Sequence, residues 1–129
     1  DAEFLMPFST DMFQEMRRTS SVYGYFYRAD IPPFTSANVW EFTQLFMAAQ
    51  GIGYEDSELL KRIAPRDGVW GQRHQYDLSV FMTDAEILQM DFFRGDLYQS
   101  YFRHLDSTGG FYAFGWGDHV VRTIAVAIL

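Results

Sequence analysis

Two carboxylates in the C-terminal half of the sequence have surroundings suited to catalysis, and Glu86 is the first. It comes just after an apolar, strand-like run at residues 78–82 and has apolar neighbours. A carboxylate at the end of a strand in such surroundings can act as a base, a nucleophile or an electrostatic stabiliser. The same residue also fits an exposed position in the first turn of a helix begun by Asp84, where the helix dipole favours an acidic side chain. The pattern leaves both interpretations open.

Asp118 is the second carboxylate, and it ends the motif Gly-Trp-Gly-Asp after an aromatic stretch. The two glycines give the backbone room to approach a ligand, and Trp116 offers a face on which a ring can stack. In the alternative interpretation Asp118 is only the N-cap of the following helix, a position that Asp fills well. Both can hold together, because capping fixes the position of a carboxylate.

Several other chemistries are excluded by the sequence. There is no cysteine, so disulfides, thiolate catalysis and Cys-based zinc sites are absent. The chain has no phosphate-binding glycine loop, no HExxH and no GxSxG motif. Its histidines, His74, His104 and His119, lack the spacing of metal ligands, and scattered histidines are usually surface or hydrogen-bonded residues.

The charge and composition narrow the class of partner. Ten basic and seventeen acidic side chains give a net charge of -7, so nucleic acid is not expected to bind. A small anionic ligand would need a metal ion or a local basic group. Aromatic residues make up 19% of the chain, which indicates either a ligand-binding surface or a large core that continues beyond this sequence. No stretch approaches the roughly 20 apolar residues of a membrane span.

Helices that alternate with short strands predict an α/β fold, with helices layered over a mostly parallel or mixed sheet. No linker or repeat divides the chain, so we expect one domain over residues 1–129. Helices are predicted after the capping residues Asp11, Thr35 or Ser36, Ser57, Asp96 and Asp118. Extended segments are predicted at residues 22–27, 78–82 and 111–114.

The C-terminal 54 residues also carry a family resemblance. They read YDLSVFMTDAEI, then MDFFRGDLYQSYFRHLDSTGGFYAFGWGD, then HVVRTIAVAIL. In the same order they resemble the patterns YNLCHFWSNFEI, LDFFRS, DxxGGFYYERWGD and APVHSIAASL of the fungal glycosyltransferase family 15, the α-1,2-mannosyltransferases. Earlier segments match more weakly, among them PFSTDMFQEM, VYGYFY and NVWEFTQLFM. The resemblance implies that this chain is the C-terminal part of a nucleotide-diphospho-sugar transferase (GT-A-like) α/β/α sandwich.

The resemblance also implies an activity and its residues. The activity is transfer of mannose from GDP-mannose to the 2-hydroxyl of an α-mannoside on a glycan, with retention of configuration. Glu86 falls on the catalytic glutamate of the family, as nucleophile or transition-state stabiliser, and Asp118 falls on the aspartate beside the acceptor. Substrate contacts are expected at Trp116, Tyr112, Gly109 and Gly110. Asp1 falls on the last position of a Glu-Pro-Asp motif whose region holds Mn²⁺ and the nucleotide.

Departures from the family pattern are expected to matter. The Glu and Pro of that motif would precede Asp1, and a further histidine ligand would follow Leu129, so we expect a truncated and divergent member. Met82 replaces a Trp of the family and Gly115 replaces an Arg. The resemblance implies a location in the Golgi lumen, with an N-terminal membrane anchor that is expected to lie outside this chain. The alternatives are a non-catalytic remnant of the fold, a mannoside-binding module and a protein-interaction domain.

Overall fold

The computed structural model describes residues 9–66 and 74–129. The helices and strands over these ranges are α1 (Met12–Thr19), β1 (Tyr23–Tyr25), β2 (Arg28–Asp30), α2 (Val39–Gln50), α3 (Glu58–Ile63), β3 (Ser79–Phe81), β4 (Glu86–Leu88), α4 (Met90–Arg94), α5 (Asp96–Ser107), α6 (Gly110–Ala113) and α7 (Asp118–Ile128). Two short 3₁₀ turns, Pro33–Ser36 and Tyr54–Asp56, precede α2 and α3.

The four strands form two separate antiparallel pairs, which follow one another along the chain as an interrupted ribbon. β1 pairs with β4, placing Tyr25 opposite Glu86, and β2 pairs with β3, placing Arg28 opposite Phe81. Between the two pairings, residues 26–27 on one strand face residues 82–85 on the other. The longer side therefore bulges outward, and Glu86 is the first residue after the bulge.

The expectation of a mostly parallel or mixed sheet is wrong for the described strands, because both of their pairings are antiparallel. The direction of the strands follows from the segment that connects β2 with β3. The segment between β2 and β3 contains α2 and α3, and it returns the chain to the ribbon in the opposite direction. A parallel pair would instead need a crossover that brings the chain back in the same direction.

Two apolar clusters hold the ribbon against the helices. The larger one joins α2, α3, α5 and α7, with Tyr101 and Ile124 fully buried. The smaller one contains Tyr23, Phe81 and Phe93, which come from β1, β3 and α4. The second cluster matters for the site, because it fixes the aromatic ring of Tyr23 on the face of the ribbon that carries Glu86.

Helix α7 is tied to the ribbon by a hydrogen bond as well as by packing. The backbone N–H of Phe81 donates to Oγ1 of Thr123 at 2.8 Å, and both groups are buried. A buried amide without a partner is costly, so this bond selects one placement of the helix along β3. The N-terminal turn of α7 is thereby set beside the end of the bulge.

Several element predictions are confirmed and others need correction. Asp11 and Ser57 cap α1 and α3 as expected. The caps of α2, α5 and α7 are Asn38, Gly95 and Gly117, one or more residues away from the predicted positions. Side-chain capping was expected there, but at each of these helices the structure shows no side-chain cap bond.

The prediction of an extended segment at residues 111–114 is wrong, because this region contains α6. Gly109 adopts a positive φ of 72° and begins the turn, and its carbonyl accepts from the N–H groups of Tyr112 and Ala113. Gly110 then packs against the ring of Trp116, where a β carbon would overlap the indole. Tertiary packing therefore overrides the strand preference of the aromatic residues.

Candidate active site

Glu86 is held on both of its carboxylate oxygens. The hydroxyl of Tyr23 donates to Oε2 at 2.7 Å, and the guanidinium of Arg122 contacts Oε1 as an ion pair. The Glu86 side chain is 13% exposed, so little water competes for these bonds. Glu86 is the first residue of the separate strand β4, which follows β3 after the bulge, so the helical interpretation is wrong. Its catalytic role stays a prediction. A carboxylate held on both oxygens in this way is fixed in orientation.

Asp118 meets Glu86 through the same guanidinium. Nη1 of Arg122 lies 3.6 Å from Oδ2 of Asp118, one helical turn away on α7. Oδ1 of Asp118 accepts from the Thr83 hydroxyl at 3.2 Å and from the backbone N–H of His119 at 3.0 Å. The Asp118 side chain is 57% exposed. The structure therefore brings the two predicted carboxylates together and gives them different surroundings, one enclosed and one open to solvent.

The bulge at residues 82–85 helps to position Glu86 and Asp118. Thr83 reaches across to Asp118, and Asp84 accepts from the Tyr27 hydroxyl at 2.6 Å. The bulge has a defined shape because both side chains are tied to neighbouring segments, and because the Met82 N–H donates to the Tyr27 carbonyl at 3.1 Å. Its shape sets where the chain re-enters the ribbon at Glu86.

A cleft of about 590 Å³ opens beside Glu86. Its walls are residues 10–13 at the start of α1 and residues 83–87, together with Phe26. The volume falls in the range of about 300–1,000 Å³ that is typical of small-molecule sites. Acidic groups at Asp11, Asp84 and Glu86 and an apolar face at Phe13 give it the mixed character that suits a sugar.

Burial and nearby charges raise the pKa values of two tyrosines near the carboxylates. Burial raises the pKa of the Tyr23 hydroxyl, the charge of Arg122 opposes that rise, and the charge of Asp118 adds to it. Burial also raises the pKa of Tyr98 on α5, with Asp118 contributing. Both tyrosines therefore stay protonated near neutral pH, and Tyr23 remains a hydrogen-bond donor to Glu86.

Trp116 does not present a free face among the described residues. Its side chain is 5% exposed, and its Nε1–H donates to the carbonyl of Ala37 at 2.8 Å. The ring packs against Gly110, Phe42 and Phe111. In this structure the indole is a core residue that links α6 to the start of α2, and we do not assign it sugar stacking.

Tyr112 is the opposite case, since its side chain is 91% exposed at the surface of α6. Gly109 and Gly110 lie at the start of the same helix. Gly109 supplies a positive φ, and Gly110 is buried against Trp116. The two glycines therefore shape the start of the helix that displays Tyr112, and substrate contact at Tyr112, Gly109 and Gly110 stays a prediction.

The expected metal site is not formed by the residues that the structure describes. Over residues 9–66 and 74–129 no group of three or more His, Asp or Glu side chains is arranged to hold a metal ion. Asp1, the predicted ligand, lies outside these ranges. The same ranges contain no helix that is long and apolar enough to cross a membrane.

Sequence reasoning missed the two residues that hold Glu86. Arg122 had a usable signal, because it follows Asp118 by four positions and i,i+4 pairs of opposite charge lie on one helix face. Tyr23 had a weaker one. Its position in a predicted strand indicated burial, but the partner of its hydroxyl depends on the register of β1 against β4.

Comparisons with known proteins agree with this architecture. The family model described as glycolipid 2-alpha-mannosyltransferase matches residues 1–129. The probable mannosyltransferase KTR3 of Saccharomyces cerevisiae is 33% identical over 118 residues, covering 92% of this chain and 28% of that protein. Glycolipid 2-alpha-mannosyltransferase 2 of Candida albicans is 31% identical over 123 residues, covering 92% of this chain and 24% of its own length.

Solved structures match as well. Core-mannan synthase A (CmsA/Ktr4) of Aspergillus fumigatus, in an Mn/GDP form, has a TM-score of 0.77 at 28% identity, covering 92% of this chain and 33% of the other. The mannosyltransferase Ktr4p of S. cerevisiae in complex with GDP has a TM-score of 0.76 at 28% identity, covering 92% and 31%. The chain thus spans at most about a third of these relatives, and the predicted fold class is confirmed. The chain belongs to the glycolipid 2-alpha-mannosyltransferase family.

Proposed function

We propose that this chain is the carboxylate-bearing part of a retaining α-1,2-mannosyltransferase that takes mannose from GDP-mannose. The observation that carries the proposal is the setting of Glu86, whose carboxylate is 13% exposed, held by Tyr23 and Arg122, and placed at the wall of an open cleft. Relatives named as alpha-1,2 mannosyltransferases, such as KTR1 of S. cerevisiae at 30% identity, support the substrate class.

Glu86 would act on the sugar that leaves the donor. As the bond to the diphosphate breaks, positive charge develops at the anomeric carbon, and a fixed anion beside it lowers the energy of that state. Tyr23 and Arg122 hold the carboxylate in place, so no reorganisation is needed during the reaction. The residue can stabilise the charge or attack the carbon, and retention of configuration is compatible with either route.

Asp118 would act on the acceptor. Its Oδ1 accepts from the Thr83 hydroxyl and the His119 N–H, Oδ2 lies 3.6 Å from Arg122, and the side chain is 57% exposed. An oxygen with a distant partner and an exposed side chain can accept a hydrogen bond from an incoming 2-hydroxyl and take its proton. The structure therefore supports separate roles, with Glu86 as the fixed charge and Asp118 as the proton acceptor.

The manganese cofactor in this proposal rests on membership of the family. A divalent ion, when bound, neutralises the charge that develops on a diphosphate leaving group. The described residues do not form such a site, so Asp1 is the residue of this chain that we propose as a ligand.

The Golgi lumen and an N-terminal anchor are likewise proposed from the family, and fractionation of cells that express the tagged protein would test them.

The test is transfer of labelled mannose from GDP-mannose to methyl α-mannoside by the intact protein. We expect a disaccharide whose new bond is α and joins carbon 2, as read by NMR coupling and by digestion with an α-1,2-specific mannosidase. Methyl 2-deoxy-α-mannoside is the matched acceptor, and it should give no product. A β product, or transfer to the deoxy acceptor, would contradict the proposal. Binding of the mannoside without any transfer would indicate a binding module.

A further inference from the structure

Arg122 contacts both of the carboxylates to which the proposed function gives a role. It lies in the second turn of α7, a helix whose apolar side is buried along Val121, Ile124 and Ala125. The Arg122 side chain is 27% exposed and turns away from that core toward the ribbon. There one nitrogen, Nη1, contacts Glu86 and lies near Asp118.

Without the positive charge of Arg122, the carboxylates around Nη1 would repel one another. Glu86 and Asp118, which is on α7, lie on either side of the Arg122 guanidinium. Asp84 lies in the adjoining bulge, and Asp11, the N-cap of α1, lines the same cleft. Four carboxylates would then share one region with the neutral hydroxyl of Tyr23. Like charges in a partly enclosed site raise the pKa of the least exposed carboxyl, which here is Glu86.

We propose that Arg122 is a positioning residue that keeps Glu86 ionised and oriented for the reaction while leaving Asp118 able to accept a proton. The proposal rests on the proposed function of the two carboxylates. Its basis is the asymmetry of the contacts. The guanidinium pairs closely with the enclosed Glu86, whereas the exposed Asp118 lies 3.6 Å away and uses its other oxygen for Thr83 and His119.

The placement of Arg122 is rigid enough for this role. Thr123, the next residue, binds the Phe81 N–H inside the core, and Val121 on its other side is 3% exposed. The two neighbours fix the direction in which the Arg122 side chain leaves the helix. A planar guanidinium with several donors is suited to hold a carboxylate in one orientation, whereas a lysine supplies charge without that fork.

The first part of the test measures ionisation directly. In the intact protein labelled with ¹³C at the glutamate carboxyls, the Glu86 signal is assigned by its loss in Glu86→Gln, and its pKa is followed by NMR. Arg122→Met should raise the pKa of Glu86 by about 1–3. Arg122→Lys should raise it less. Arg18→Met is the matched control, because it removes a solvent-exposed Arg–Glu pair with Glu15 on α1 and should leave Glu86 unchanged.

The second part measures transfer as a function of pH. Arg122→Met should move the acidic limb of the kcat/KM profile, which reports groups of the free enzyme, to higher pH by the same amount as the pKa of Glu86. Arg122→Lys should restore part of that movement. An unchanged Glu86 pKa in Arg122→Met would overturn the inference, and so would an altered pKa with an unmoved limb. If wild-type protein shows no transfer at all, the proposed function fails, and the carboxyl titration alone still decides whether Arg122 controls Glu86.

Discussion

The hydroxyl of Tyr23 donates to the carboxylate of Glu86 at 2.7 Å, across the diagonal of an antiparallel strand pair. Tyr23 lies opposite Leu88, and Glu86 lies opposite Tyr25, so the two bonded side chains share one face of the ribbon. The ring of Tyr23 packs on Phe81 and Phe93. The apolar cluster therefore positions a polar group of the site through a single aromatic side chain.

Tyr23→Phe should loosen Glu86 while keeping the aromatic packing. The lost hydrogen bond to a charged group should lower the free energy of unfolding by about 1.5–3 kcal/mol. Mannose transfer should fall about 10-fold, mainly in kcat, because Glu86 keeps Arg122 but loses Tyr23 as a partner. Denaturant unfolding and steady-state kinetics measure the two effects. Tyr54→Phe, which removes a hydroxyl that accepts from Gln44, is the control and should leave kcat unaffected. An unaltered kcat in Tyr23→Phe would contradict the role of this bond.

Thr123→Val should weaken the attachment of α7 to β3. It leaves the buried N–H of Phe81 without its acceptor, which costs about 1–3 kcal/mol. Amide hydrogen exchange at Phe81 should become faster, because the amide loses the bond that protects it. In Thr123→Ser, which keeps the oxygen, exchange at Phe81 should stay slow. Equal protection in the Val and Ser variants would show that the bond does not hold the helix.

The paired glycines at the start of α6 should respond differently to alanine. Gly110→Ala places a methyl group against the Trp116 ring and should destabilise the fold by about 1–3 kcal/mol, as overpacking does. Gly109→Ala meets no atom within 4 Å and adds only the strain of a positive φ, about 1–2 kcal/mol. Thermal or denaturant unfolding compares them. Trp116 fluorescence should change in the first variant alone, and a change in both would contradict this distinction.

Tyr112→Ala should separate substrate contact from stability. The side chain is 91% exposed, so the free energy of unfolding should stay within about 0.5 kcal/mol of wild type. If the ring stacks on the acceptor sugar, KM for that acceptor should rise roughly 2- to 10-fold. Phe34→Ala, at a residue that is 74% exposed on the turn before α2, is the matched control. An acceptor KM equal to that of wild type would remove Tyr112 from the site.

Buried tyrosines should make the fold sensitive to alkali. Burial raises the pKa of Tyr23, Tyr76, Tyr98 and Tyr101 above the usual value for tyrosine. The unfolded chain loses these protons near pH 10, whereas the folded chain keeps them, so the folded state binds more protons above that pH. Stability is therefore unaffected by these groups well below pH 10 and falls as pH rises beyond about 9. Unfolding in denaturant from pH 7 to 11 measures this, and Tyr101→Phe should reduce the slope. A stability that is constant to pH 11 would contradict the prediction.

The sequence predicted the parts of the fold that depend on local signals. Asp11 and Ser57 cap their helices, and the strand predicted at residues 78–82 contains β3. Relationships between distant segments could not be read in this way. The contact of Gly110 with Trp116 turns an aromatic segment into a helix, and strand register decides that Tyr23 reaches Glu86. Both depend on how separate elements pack against each other, and a short stretch of sequence carries no information about that packing.

Glu86→Gln in the intact protein tests the central claim most directly. Glutamine keeps the size of the side chain and can still accept from Tyr23, but it removes the negative charge that we propose acts on the donor sugar. Transfer from GDP-mannose should fall by about 10²–10³-fold or more, while Glu58→Gln, at an exposed glutamate paired with Lys61, should stay near wild type. Near-normal turnover in Glu86→Gln would contradict the account, because the charge held by Tyr23 and Arg122 would then have no part in the reaction.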